Sequence, residues 1–83
     1  MDTIKLGNIV NECNRLKKIL YDNRESMSNK NFIIISGAIR AENFEIDDNT
    51  VIETPDDVRR ILKAKIEKIE MQIKRLVSNE KST

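Results

Sequence analysis

An apolar stripe that follows a strong helix start limits the fold of this chain more than any other feature. Thr54 offers a hydroxyl that can cap a helix, Pro55 suits the first helical position, and two carboxylates follow in the first turn. Apolar residues then recur three or four positions apart: Val58, Leu62, Ile66, Ile69, Ile73 and Leu76. We therefore expect a helix over residues 55–78, about 36 Å long, and a frayed tail over 79–83.

A second apolar stripe runs through the start of the chain. Its members alternate spacings of three and four residues, which is typical of a helix that packs on another helix. They are Leu6, Ile9, Cys13, Leu16 and Leu20, with Met27 one heptad further on. The pattern predicts an N-terminal helix over residues 1–27. Two long helices with one narrow stripe each are expected to pair as an antiparallel, coiled-coil-like helical hairpin.

The segment between the helices, residues 31–53, is expected to form a small β unit. Phe-Ile-Ile-Ile at 32–35 is a run of β-forming residues, and Ser36-Gly37 offers a turn or a bulge. Residues 38–46 are the second expected strand, 47–50 a turn, and Val51-Ile52 a short third strand. A helical turn over 38–43 is the alternative, because Ala, Arg and Glu favour helices.

The sequence thus predicts one α+β, mostly α domain over residues 1–83, in which two long antiparallel helices flank a central β-hairpin or meander. This helix–β–helix order resembles the plan of prefoldin-type chaperone subunits at the level of element order. Such a small sheet has two open edges, and edges of β-forming residues pair readily with other chains.

Self-association is expected because the run at 32–35 is apolar on both faces of a strand. Two helices can cover only one face of a small sheet, so the other face would expose Phe and Ile. A two-fold homodimer is the simplest way to cover it. The predicted self-association residues are Phe32, Ile33, Ile34, Ile35 and Phe44. The alternative is a monomer whose helices fold back tightly over the sheet.

Several classes of chemistry are excluded by residue type. The chain has no histidine and a single cysteine, Cys13, so the usual zinc sites and Ser-His-Asp or Cys-His catalysis cannot be built from one copy. No phosphate-binding glycine loop is present. We therefore predict no enzymatic activity, no catalytic residues, no metal and no cofactor. No apolar run approaches 18 residues and no signal peptide is recognisable, so we expect a cytoplasmic protein without membrane contact.

Charge is segregated along the chain although the net charge is only +1. Residues 32–57 carry a net charge of −6 and residues 58–83 a net charge of +5. Arg40 is the only basic residue in the acidic block. With Arg59, Arg60 and Lys63 it is the predicted phosphate-binding set, which would hold a nucleotide or signalling molecule between subunits. Nucleic-acid binding by the basic C-terminal helix is a weaker alternative.

These patterns favour a small non-enzymatic homo-oligomer that acts by occupying another protein. Ile, Asn and Lys, whose codons are rich in A and T, occur 13, 9 and 9 times. That usage suits an accessory protein of a phage or mobile element, for instance an inhibitor of a host or defence protein. Sequestration of a nucleotide and nucleic-acid binding remain the two alternative functions.

Overall fold

Three helices form the fold in a computed structural model that describes residues 3–42, 44 and 49–81. They are α1 (Thr3–Asp22), α2 (Asn29–Ala41) and α3 (Pro55–Lys81). At 1.5 Å per residue their lengths are about 30, 20 and 40 Å. The molecule is accordingly elongated, with extents of 47 × 27 × 17 Å.

Helices α1 and α3 lie antiparallel and bury their stripes on each other. At one end the Arg59 Nε donates a 2.8 Å hydrogen bond to the backbone oxygen of Asn23, just after α1. Further along, Lys17 Nζ lies 3.0 Å from Glu70 Oε2. The buried stripe residues are Cys13, Leu16, Val58, Leu62, Ile66 and Ile69. Burial of these apolar side chains is the main force that holds the two helices together.

The predicted β unit over residues 31–53 is wrong, because α2 occupies residues 31–41 of it. Ser28 accepts a 3.1 Å hydrogen bond from the backbone N–H of Asn31 and so caps α2. Ile35 and Ile39, four residues apart, are buried on one side of α2, and Phe32 is half-buried there. Phe32, Ile35 and Ile39 are therefore spaced three and four residues apart, which places them on one side of a helix.

The rest of the predicted β unit is not a sheet either. Residues 50–53, which include the expected strand Val51-Ile52, have no regular secondary structure. Residues 45–48, which cover part of the expected second strand and turn, lie outside the described residues. Since the described residues contain no strand, the fold is helical. The likeness to prefoldin-type subunits no longer holds, because it depended on the predicted β-hairpin.

Asn23 ties the three helices together at one end of the molecule, here called the joint end. Its side chain is 7% exposed and donates from Nδ2 to the Ile19 oxygen over 2.8 Å. Its Oδ1 accepts a 3.2 Å hydrogen bond from Asn31 Nδ2 at the start of α2. Its backbone oxygen accepts the bond from Arg59 at the start of α3. A buried amide with its donors and acceptors paired in this way fixes how the helices meet.

Helix α2 covers only half of the α1–α3 hairpin. It starts beside Asn23 and ends at Glu42, whose Oε2 lies 3.0 Å from Arg15 Nη2. From Arg15 back to Thr3, roughly 18 Å of α1 extends beyond α2. This part of α1, together with the C-terminal half of α3, is the open end of the molecule. The three-helix core is therefore complete at the joint end only.

Candidate functional site

A groove of about 640 Å³ lies between α1 and α3 at the open end, next to the C-terminus of α2. It is here called the open groove. Its lining residues come from α1, α3 and the chain after α2: Lys5, Asn8, Ile9, Glu12, Arg15, Glu42, Phe44, Lys65, Ile69 and Gln72. Three of these residues, Arg15, Glu42 and Phe44, also line the depression beneath α2. The groove thus continues the surface on which α2 packs.

The floor of the open groove is apolar. Phe44 and Ile69 are buried and Ile9 is half-buried. Phe44 follows the end of α2 and packs into the common core, where it closes one end of the groove. An apolar floor between two polar helix edges is the usual form of a surface that receives an amphipathic helix.

The charges around the open groove are unevenly compensated. Arg15 Nη2 lies 2.8 Å from Glu12 Oε1 and 3.0 Å from Glu42 Oε2, so two carboxylates share one guanidinium. The hydrogen bond to Glu12, and after it the one to Glu42, raises the pKa of Arg15 above its ordinary value. Lys65 Nζ lies 5.7 Å from the centre of the Phe44 ring, and Lys5 is exposed at the far end. The rim therefore carries one more positive than negative charge.

A second exposed surface is the face of α2 that points away from the hairpin, here called the outer face of α2. Ile33 is 69% exposed and Ile34 is 57% exposed, and Ile34 also borders the depression between α2 and α1. Gly37 lies on the same side, and a Cβ atom placed on it would meet nothing within 4 Å. Glycine costs a helix interior about 1 kcal/mol relative to alanine. No contact among the described residues accounts for that cost.

The predicted self-association residues divide between the core and the surface. Ile35 and Phe44 are buried, and Phe32 is half-buried against the core. Ile33 and Ile34 are the two that α2 leaves exposed. The original reason for self-association, a strand apolar on both faces, therefore no longer applies. The exposed isoleucine pair is what remains of that predicted surface.

The predicted phosphate-binding residues do not converge on one site. Arg40 Nη2 donates to the Thr50 oxygen over 3.1 Å, and Arg59 bonds both the Asn23 oxygen and Asp56. Arg60 makes a long 3.4 Å contact with Asp57 and lines a depression beside Thr50. Lys63 lines a different depression with Lys17, Leu20, Tyr21, Arg24, Ile66, Glu67 and Glu70. The arginines mainly serve contacts within the fold.

Other candidate features give no site. Cys13 is buried in the core as a free thiol, as expected for a small apolar residue. Within residues 3–42, 44 and 49–81, no three metal-ligating side chains come together. No helix in the same part of the chain is both long and apolar enough to cross a membrane.

Three polar residues of the open groove, Lys5, Asn8 and Gln72, were not predicted, because they lie at ordinary polar positions of two amphipathic helices. The apolar residues Ile9, Phe44 and Ile69 were predicted, but as parts of helix stripes or of a self-association surface. The signal that could have indicated the groove is the length of α2, which has 13 residues whereas α3 has 27. This signal requires that residues 32–35 be assigned to a helix capped by Ser28. The chain matches no protein-family model, and no curated protein or solved structure is significantly similar to it.

Proposed function

We propose that this protein is a non-enzymatic binding protein that holds an amphipathic helix of another protein in the open groove. The observation that carries this proposal is the incomplete cover of the hairpin, because α2 ends at Glu42 while α1 continues for roughly 18 Å. A partner helix of about three turns fits that length and would complete the three-helix core.

The groove favours a helix with one apolar side and carboxylates at its edges. Ile9, Phe44 and Ile69 supply an apolar floor for residues spaced three or four apart. Lys5 and Lys65 stand on opposite edges of the groove, on α1 and α3. Carboxylates of the partner would lie near these two ammonium groups, which sets the orientation of the helix more than its affinity.

Occupation of the groove is also the simplest way for such a chain to act on its partner. A helix held here is withdrawn from its other contacts, which is how a small inhibitor without catalytic residues can work. A nucleotide-sequestering function lacks a comparable observation, because Arg40, Arg59, Arg60 and Lys63 do not face one cavity. Self-association and an origin in a phage or mobile element stay predictions.

Selection from a displayed library of helical peptides tests the proposal, with the whole chain as the target. Asn8→Trp fills the groove from its α1 edge, and Asn11→Trp places the same side chain on an exposed part of α1 that does not line the groove. We expect one class of selected peptides to lose at least about tenfold in affinity on the Asn8 variant, equivalent to about 1.4 kcal/mol, and to keep it on the Asn11 variant.

Three results would overturn the proposal. One is the absence of any selected peptide that distinguishes the two variants. Another is unchanged affinity on both variants, which would place binding elsewhere. A third is a homodimer, seen by sedimentation, that only the Asn8 variant dissociates, because a second copy would then fill the groove. Circular dichroism of both variants checks that they remain folded.

A further inference from the structure

We infer that the outer face of α2 is a second interaction surface, which binds a helix that carries carboxylates on both sides of an apolar centre. This inference does not depend on the open groove, since it rests on a different set of side chains. Ile33 and Ile34 form the centre, and both are more than half exposed. Two adjacent isoleucines in water on a short helix are an unused contact surface.

The shape of the outer face suits another helix. Gly37 follows Ile33 and Ile34 by one turn, and its Cβ position is open. Ala41 lies one further turn along and is exposed. Small residues at this spacing let a second backbone approach closely, so that its side chains can pack beside the isoleucines.

Charge identifies the kind of helix that fits. The only charged residues of α2 are Lys30 and Arg40, both exposed, at opposite ends of the apolar centre. They lie ten residues apart, which is about 15 Å along the helix axis. Arg40 donates to the Thr50 oxygen, and a guanidinium carries five N–H donors, so it can bind a carboxylate as well. A partner helix with two carboxylates about ten residues apart would meet both ends.

A second copy of this chain fits the outer face less well. If two α2 helices pack in parallel, Lys30 faces Lys30 and Arg40 faces Arg40. If they pack antiparallel, each Lys30 faces the Arg40 of the other copy. Like charges oppose each other in both arrangements, whereas carboxylates of a different protein attract at both ends.

The same displayed library separates this surface from the groove. Binders to the outer face are those that survive Asn8→Trp and are lost when Ile33 and Ile34 are both changed to Gln, a neutral residue with good helix propensity. We expect these binders to be enriched in pairs of Asp or Glu about ten residues apart. Lys30→Glu should weaken them at least about tenfold, while Lys18→Glu, on an exposed position of α1, should leave them unchanged.

Several outcomes would overturn the inference. Selected peptides that lack the acidic pair, or that tolerate Lys30→Glu, would show that charge does not choose the partner. A dimer that only the Ile33 and Ile34 double variant dissociates would assign the surface to a second copy. Binding to phosphatidylglycerol vesicles that the same double variant abolishes would assign it to a lipid surface. Loss of groove binders alone leaves this inference standing.

Discussion

The joint end and the open end of this molecule are built from the same two long helices but differ in how they are packed. At the joint end, Leu16, Ile39, Val58 and Leu62 are all at most 1% exposed, and three helices meet around Asn23. At the open end, stripe residues such as Leu6, Ile9, Ile73 and Leu76 are only half-buried. The difference arises because α2 packs on the two long helices at the joint end only.

This contrast shows where the stability of so small a chain comes from. A domain of this size buries only roughly 60–65% of the surface its unfolded chain exposes, so it has little stability to spare. Here the joint end supplies most of the buried apolar contact. The open end can then keep an apolar groove in contact with water without unfolding the molecule.

The largest expected effect compares two leucines of α3, one at each end of the molecule. Leu62→Ala removes a fully buried side chain at the joint end and should lower the free energy of unfolding by about 2–5 kcal/mol. Leu76→Ala, at a half-buried position, should lower it by less than about 1 kcal/mol. Urea denaturation followed by circular dichroism measures both values.

Equal losses for the two leucine variants would mean that the open end is packed as tightly as the joint end. If Leu62→Ala does not fold at all, Ile39→Val offers a gentler change at a site that is 1% exposed. Its expected cost is about 1 kcal/mol.

A smaller effect is expected from the polar link at the joint end. Asn23→Ala removes the side-chain bond to the Ile19 oxygen, which keeps the Asn23 backbone N–H as a donor, and the bond from the exposed Asn31. The free energy of unfolding should fall by about 1–3 kcal/mol. Asn11→Ala, on an exposed position of α1, is the matched control and should change little. If Asn23→Ala leaves the free energy of unfolding unchanged, apolar packing alone positions α2.

The Asp57 carboxylate at the start of α3 should make the free energy of unfolding depend on pH. Asp57 Oδ2 accepts 3.0 Å hydrogen bonds from the backbone N–H groups of Glu53 and Thr54, which lower the pKa of this carboxyl below its ordinary 3.8. Above pH 3.8 both folded and unfolded chains carry the charge, and the stabilisation is complete. As the pH falls below 3.8 the unfolded chain binds the proton first, so stability declines.

Comparison with Asp57→Asn isolates this contribution. The variant should be less stable than the parent at pH 7, and the difference should shrink as the pH falls below about 4 and the parent carboxylate becomes protonated. Denaturation at a series of pH values measures it. A difference that does not change with pH would show that Asp57 does not act through its charge.

The smallest effect is expected at the Lys17–Glu70 ion pair, which spans the two long helices on the face opposite α2. Both side chains are about half exposed, and the bond to Glu70 raises the pKa of Lys17. Water and salt screen such a pair, so Glu70→Gln should leave the urea midpoint unchanged within experimental error. A clear loss of stability that disappears at high salt would show that this pair does contribute.

The sequence predicted the existence of two long helices because their signals are local and repeated, but it did not predict their ends: α1 ends at Asp22 and not at residue 27, and α3 continues to Lys81 through part of the predicted tail. Thr54 accepts from the Asp57 N–H over 3.3 Å and Pro55 is the first residue of α3, as the start signal indicates. Ile19 and Ile61, which lie off the main stripes, were harder to interpret. They pack in the core, Ile61 buried and Ile19 half-buried, because α2 and the chain after it give the hairpin a second contact side.

The middle helix was missed because β propensity and helical spacing give opposite answers for residues 32–35. Three consecutive isoleucines favour a strand by residue type, but helix or strand is decided by which of them become buried together. Phe32, Ile35 and Ile39 share one side of a helix, and Ser28 caps it. The open groove follows from the length of α2, so it could not be predicted while α2 was assigned to strands.

The position of Cys13 makes its thiol a probe of how often the α1–α3 hairpin opens. The thiol is the only one in the chain and is 3% exposed in the contact between α1 and α3. Although Cys13 borders a shallow depression with Glu70 and Ile73, so little of it is exposed that its rate of modification should rise with the fraction of time the hairpin spends open. Because Cys13 lies one turn from Ile9, a helix bound in the open groove would lower the rate of thiol modification, and no added label is needed to measure it.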